Sequence, residues 1–163
     1  MANNLLHAPK DTITVYDPQG IPHSFIQAED QFIYEITKYN DRDDCHAVPL
    51  PGPKARPGTP IAAVALGNSG GIRVYYIGED NRLYEMCIDS RGWYSGIGSS
   101  RFGYVAPGSD LLYAMARVKA GGHVHLKVGF QSANAPQNVI TEATFWNEVW
   151  HNELVSISGN SIR

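Results

Sequence analysis

The 163-residue chain reads as an all-β protein made of repeated four-stranded antiparallel units, the blades of a β-propeller. Three observations predict this. The chain repeats itself: HSFIQAEDQFIYE, from His23 to Glu35, lies without a gap over RVYYIGEDNRLYE, from Arg73 to Glu85. Glu29, Asp30, Tyr34 and Glu35 thus return fifty residues later as Glu79, Asp80, Tyr84 and Glu85. Pro57-Gly58-Thr59 returns at the same shift as Pro107-Gly108-Ser109. Each unit alternates short apolar runs with turn residues, for which the chain holds 16 Gly and 10 Pro. Finally, 43% hydrophobic and 18% charged residues describe a turn-rich globular chain rather than a disordered or coiled-coil one.

The repeats divide one domain, 1–163, into units at about 8–56, 57–106 and 107–160. In the first, the segment from Phe25 to Ile36 matches the second unit. The second reads as strands Ile61 to Gly67, Ile72 to Gly78, Arg82 to Ile88 and Trp93 to Ile97. Their turns are Asn68-Ser69-Gly70-Gly71, Glu79-Asp80-Asn81 and Asp89-Ser90-Arg91-Gly92, residues that tolerate turn dihedrals. The third is a weaker copy: LKVGFQ from Leu126, then VITEATFW through Trp146, with extra residues in the turn from Ser132 to Gln137. LLYAMARVKA, from Leu111, has good helix propensity, yet its repeat partner from Ile61 ends at a Gly-rich hairpin. It is assigned as a strand, because tertiary context overrides propensity.

Thirteen basic against sixteen acidic side chains leave a net charge of −3, which gives no electrostatic footprint for nucleic acid or an anionic membrane. No apolar run approaches the roughly 18 residues of a membrane span. No signal peptide is visible in Met1 to Lys10, so cytoplasmic residence is the expectation. Cys45 and Cys87 make no disulfide framework and read as reduced, partly buried thiols.

Propellers close with about four to eight blades, so three leave two radial faces open. A homodimer completing a six-bladed ring is the economical solution. The faces expected to meet include the strands around Phe25 and Ile33 and those around Phe145 and Trp150.

The stretch PGTPIAAVALGNSGGIRVYYIGEDNRLYEMCIDSRGWYSG, from Pro57 to Gly96, resembles one blade of the Aleuria-type fungal fucose-specific lectins, six-bladed propellers. The resemblance is moderate over Phe25 to Ile36 and loose in the third unit apart from Glu142 and Trp150. It implies a sugar held between neighbouring blades by an Arg, a Glu twelve residues on, and an aromatic platform from the next blade. Arg73 and Glu85 match, and Phe145 and Trp150 of the third unit complete the implied pocket. In the first unit His23 replaces the Arg, Glu35 is kept, and Trp93 is available as the wall. In the third, Lys127 stands for the Arg and the longer turn is expected to move it away from Glu142; Asp43 occupies the position of its wall. The implied ligand is fucose or a related sugar.

A guanidinium with fixed donors beside a carboxylate suits adjacent sugar hydroxyls, and an aromatic wall suits the apolar face of a sugar. The alternative for Arg73 and Glu85 is a cross-strand ion pair that only stabilises the sheet. A second functional reading is a cofactor-free enzyme, an isomerase, dehydratase or cyclase of small-molecule biosynthesis, with His23 and Glu35 as acid and base. No cofactor or metal is implied by either. Trp146 is expected to pack between blades. His123-Val124-His125 places two rings on one strand face but lacks a third metal ligand, and Cys45-His46 after Asp43 and Asp44 reads as a polar loop. Gly67 to Gly71 lacks the Lys and helix of a phosphate loop and reads as a hairpin.

Overall fold

A computed structural model describes residues 11–38, 45–69, 71–136 and 139–156. Among them are twelve strands in three four-stranded antiparallel sheets, each a simple meander. The first sheet is β1 Thr12–Tyr16, β2 Pro22–Gln27, β3 Ile33–Lys38 and β4 Cys45–Pro49; the second is β5 Ile61–Ala65, β6 Ile72–Ile77, β7 Leu83–Asp89 and β8 Gly92–Ser95. The third is β9 Leu112–Val118, β10 Val124–Phe130, β11 Val139–Trp146 and β12 Val149–Ser156. The first strands β1, β5 and β9 lie side by side, as they do around a propeller axis.

The repeated residues are the turn chemistry. In the first blade the Gln31 amide donates to Ala28 O at 2.9 Å with Gln31 at φ 72°, and in the second Asn81 donates to Gly78 O at 2.9 Å with φ 62°. Asp30 and Asp80 brace these hairpins from inside. Each accepts a backbone amide two residues on and the hydroxyl of Tyr34 or Tyr84 at 2.8 Å. Arg56 to Thr59 and Ala106 to Ser109 are matching turns, closed by amide bonds of 3.0 Å, in which Gly58 (φ 67°) and Gly108 (φ 77°) take the left-handed position after Pro.

The Leu111 segment forms strand β9, paired along its length with β10, so the sheet overrides helix propensity. The Gly-rich turn of the second blade is a short 3-10 turn, Gly67–Ser69, closed by Leu66 N to Gly71 O at 2.8 Å. The predicted strand from Trp93 to Ile97 ends earlier, at Ser95. The Gly98 amide turns inward to donate to Glu85 Oε2 at 2.8 Å, which draws Ile97–Ser100 into a 3-10 turn.

Two apolar clusters join the blades. Phe25 and Ile33 pack with Ile61, Val74, Tyr76 and Met86 between the first and second. Tyr75, Leu83 and Phe102 pack with Leu126, Val128, Phe130 and Trp150 between the second and third. The faces expected to be open are therefore corrected: Phe25, Ile33, Phe145 and Trp150 point toward the second blade. Strand alternation leaves Ile26 and Tyr34 on the outward side of the first blade, and Met115 and Trp146 on that of the third. Trp146 is 42% exposed and stacks on His151, so it does not pack between these blades. Both cysteines are free; Cys87 is buried, whereas Cys45 is exposed.

Candidate functional site

Each blade presents a basic residue and a glutamate on the same diagonal of its two central strands. His23 pairs across with Thr37 and Glu35 with Phe25; Arg73 pairs with Cys87 and Glu85 with Tyr75; Lys127 pairs with Thr144 and Glu142 with Gly129. Residues on such a diagonal lie on one face of the sheet, about 7–8 Å apart at the backbone, within reach of long side chains. The three pairs end up in different states.

Between the second and third blades lies a cavity of ≈ 450 Å³ whose lining includes Arg73, Glu85, Phe145 and Trp150. The four residues named for one pocket are thus brought together. Glu85 is buried: Oε1 accepts from the Tyr75 hydroxyl at 3.1 Å and Oε2 from the Gly98 amide at 2.8 Å. Burial pushes this carboxyl above its ordinary range, against the Gly98 amide, the Arg73 charge and the Tyr75 hydroxyl, which draw it down. Gly96 and Gly98 permit the arrangement, because a Cβ at Gly96 would lie 2.1 Å from Glu85 Oε2 and one at Gly98 2.8 Å from it. The Arg73 guanidinium makes a single long contact, 3.4 Å to its neighbour Ile72 O, and no ion pair among the described residues. The ion-pair alternative for Arg73 and Glu85 therefore has no support in the geometry. Trp150 stands edge-on to Tyr75 at 6.4 Å and to Phe102 at 4.8 Å and packs on Phe145 at 5.3 Å; nothing described accepts a bond from its indole. The cavity thus offers unspent donors, a carboxylate with spare lone pairs, and an aromatic wall.

Between the first and second blades the same positions close on themselves. His23 Nδ1 lies 2.6 Å from Glu35 Oε1, and Trp93 Nε1 donates to Glu35 Oε2 at 2.7 Å while its ring meets Phe25 edge-on at 5.7 Å. His23 and Glu35 are only 9% and 7% exposed, and neither lines the described cavity. Asp17 sits 3.6 Å from His23 Nε2. Desolvation raises the Asp17 carboxyl, but the Ile21 and Gln19 amides together with His23 bring it below its ordinary value.

In the third blade Lys127 Nζ lies 2.7 Å from Glu142 Oε2, which corrects the expected separation. The pair is fifteen residues apart rather than twelve, but the turn absorbs the extra residues and the register is unchanged. Gly129 stands where the second blade has Tyr75. Its missing side chain admits the Tyr113 ring, which a Cβ would meet at 2.0 Å, and the Tyr113 hydroxyl donates to Glu142 Oε1 at 2.9 Å. Its predicted wall, Asp43, lies outside the described residues, as does Asp44.

Sequence reasoning missed the rest of the cavity lining, above all Tyr94, Ile97, His123 and His125. His123 and His125 belong to the β9–β10 hairpin, a full repeat away from Arg73; the hairpin borders the cavity, while the register sets His125 on the Lys127 face of the sheet, opposite Leu126 and Phe145. Among the described residues no group of three metal-ligating side chains occurs, and Cys45 and His46 sit on the exposed strand β4.

The model of the fungal fucose-specific lectin family matches residues 34–162. A fucose-specific lectin of Aleuria aurantia is 50% identical over 40 residues, which are 24% of this chain and 12% of that one. Its crystal structure, described as a six-bladed β-propeller, aligns with a TM-score of 0.54 at 17% identity, over 92% of this chain and 61% of the other. AofleA from Arthrobotrys oligospora aligns with a TM-score of 0.74 at 26% identity, covering 91% of this chain and 41% of that one. A fucose lectin from Kordia zhangzhouensis, solved with methyl-fucoside, gives 0.66 at 23% identity, over 90% of this chain and 100% of its own. The chain thus spans less than two thirds of the Aleuria and Arthrobotrys relatives and the full extent of the Kordia chain. With the family model covering most of its length, the chain belongs to the fungal fucose-specific lectins, as a set of three propeller blades.

Proposed function

We propose that the chain is a lectin that binds fucose, or a closely related deoxy-sugar, in the cavity between its second and third blades, and that it does no chemistry there. The observation that carries this reading is the open state of Arg73 and Glu85 beneath Trp150 and Phe145. Arg73 donates to adjacent ring hydroxyls, Glu85 accepts from them with the lone pairs that Tyr75 and Gly98 leave free, and the two aromatic rings take the apolar side of the sugar. The names of the family and of the Aleuria and Kordia relatives, which specify fucose, support the choice of sugar. A few hydrogen bonds and one apolar face correspond to a Kd of about 10 μM to 1 mM.

Titration calorimetry with methyl α-L-fucoside tests it. One site per chain is expected, and no heat at millimolar sugar would overturn the reading. The His23 and Glu35 pair supports a structural role better than an acid–base one, since both groups are buried and engaged with each other and with Trp93.

The assembly reading accompanies it: two chains join first blade to third blade twice into a closed ring. Exposed apolar side chains on the outward faces, Tyr16 on one blade, Met115 and Val149 on the other, support it. Light scattering at micromolar protein should report twice 17.9 kDa; a well-folded monomer would remove the dimer.

A further inference from the structure

The cavity is larger than the sugar it is proposed to hold. A deoxyhexose displaces the volume of about six waters, ~180 Å³ at roughly 30 Å³ each, whereas the cavity measures ≈ 450 Å³. Arg73, Glu85, Phe145 and Trp150 account for one part of the wall. The β11–β12 turn supplies another, with Asn147 and Glu148, and Tyr94 of β8 lines the cavity from the second blade.

The register turns this hairpin toward the cavity. Phe145 pairs with Trp150, and both line the cavity, while Trp146 pairs with Val149 on the opposite face. One further step of the alternation returns Asn147 and Glu148 to the Phe145 and Trp150 side, and both belong to the lining. Tyr94 pairs with Cys87, and Cys87 with Arg73, so Tyr94 shares the Arg73 face. Asn147 and Glu148 are exposed, whereas Glu85 is buried, so the turn stands at the mouth.

The turn also carries a side chain where its backbone favours none. Two residues separate Trp146 from Val149, and both have positive φ, 48° at Asn147 and 63° at Glu148. Such a turn favours Asn-Gly, because glycine takes the left-handed conformation without strain. Asn147 follows the rule and Glu148 breaks it. In the second blade the β7–β8 hairpin places its positive φ, 105°, at Gly92. Nothing in the fold offsets the strain at Glu148: among the described residues, no hydrogen bond or ion pair uses its side chain or that of Asn147. A strained position held by a side chain that the fold does not use points to a use outside the fold.

We propose that the β11–β12 turn forms an outer subsite in which Asn147 and Glu148 bind the sugar next to fucose. The chain then prefers a fucosylated disaccharide to fucose alone, and an amino or neutral neighbour to an acidic one. The proposal rests on the fucose reading of the same cavity and deepens it by naming the class of glycan. Glu148 accepts from the hydroxyl, amide or ammonium groups of the second sugar, Asn147 both donates and accepts, and the Tyr94 ring offers an apolar surface. A carboxylate on that sugar meets the like charge of Glu148 instead.

Calorimetry at a single pH compares methyl α-L-fucoside with three disaccharides in which fucose is linked to O3 of N-acetylglucosamine, glucosamine or glucuronic acid. The first two should bind roughly fivefold to tenfold tighter than methyl fucoside, and the third no tighter than it. Arg73, Glu85 and His123 also border the cavity, and their fields are common to the chain and its Glu148 variants. Glu148→Gln should therefore bring the amine and acid forms within about twofold of each other. Glu148→Gly should bring the affinity ratio of the N-acetylglucosamine disaccharide to methyl fucoside close to one without lowering the urea midpoint, since glycine relieves the strained φ. Arg73→Ala should weaken both ligands together and leave their ratio in place. A ratio lost together with a lowered urea midpoint would assign Glu148 to the fold and overturn the subsite. So would equal binding of all four ligands, or tightest binding of the acidic one, with methyl fucoside bound normally. If methyl fucoside itself does not bind, the fucose reading falls and the subsite with it.

Discussion

The two blade junctions start from the same parts and end in opposite states. At both, a glutamate on the third strand of one blade lies under a tryptophan on the fourth strand of the next, and that tryptophan meets an aromatic ring edge-on. Phe25 and Trp93 are 5.7 Å apart at 88°, Tyr75 and Trp150 6.4 Å at 87°. At the first junction the imidazole of His23 is short enough to settle on Glu35 at 2.6 Å, and the Trp93 indole completes the closure at 2.7 Å. At the second, Tyr75 and Gly98 hold Glu85 instead, so both the Arg73 guanidinium and the Trp150 indole remain unspent. Whether a junction stays open or closes is thus set by which group satisfies the buried carboxylate.

The largest separation between the junctions should come from removing their basic residues. Arg73→Ala deletes charge-assisted hydrogen bonds to the sugar, worth together about 3 kcal/mol, or roughly 100-fold in Kd. Urea unfolding should barely change, since the guanidinium's one hydrogen bond among the described residues is 3.4 Å long. His23→Ala should do the reverse. It strips a buried carboxylate of a 2.6 Å partner, at a cost of about 2 kcal/mol in urea unfolding, with fucoside affinity intact. Loss of sugar binding in His23→Ala but not in Arg73→Ala would exchange the roles of the two junctions.

Much of this was legible in the sequence, for a physical reason. The repeat at a shift of fifty preserves Asp30 and Asp80 because each is the brace of a hairpin, and a brace fixes the register in which Glu35 and Glu85 stand. Spacing along the chain was a poorer guide in the third blade. Lys127 and Glu142 are fifteen residues apart, but proximity follows the cross-strand register, which a longer turn leaves unaltered. The exchange of Tyr75 for Gly129 with Tyr113 was hidden because the phenol returns from a different strand, and the approach of the β9–β10 hairpin to the cavity because it belongs to another repeat. Nor does spacing show that His23 Nδ1 closes on Glu35 while Arg73 makes no ion pair with Glu85.

Acid should sharpen the contrast between two glutamates in equivalent register. Burial raises Glu85, whereas the Lys127 ammonium leads the groups that lower Glu142. A raised carboxyl takes its proton more readily in the folded chain, so the folded state gains stability as pH falls through the raised value, while Glu85 loses the charge used on the sugar. Fucoside affinity should drop about tenfold per pH unit below that point. Glu142 has the opposite sign: its contribution is present above the ordinary glutamate value and is lost as pH falls through the depressed one. Carboxyl carbon NMR titration should place Glu85 above 4.5 and Glu142 below it; the reverse order would show that burial does not dominate at Glu85.

The smallest effect belongs to the third blade, whose ion pair is within 0.1 Å of the shortest among the described residues. Lys127 and Glu142 approach to 2.7 Å, but the lysine side chain is 47% exposed, in contrast to 11% for His23. Water screens the attraction, the free ammonium is well solvated, and Glu142 retains the Tyr113 hydroxyl if the lysine is removed. Lys127→Met also keeps most of the apolar stem that covers the glutamate. The substitution should therefore cost about 0.5 kcal/mol or less in urea unfolding, several times less than His23→Ala, despite the similar distance. A loss approaching that of His23→Ala would mean that Lys127 is shielded from water in solution, and repeating the pair of measurements across a protein dilution series would show whether a second chain covers that face.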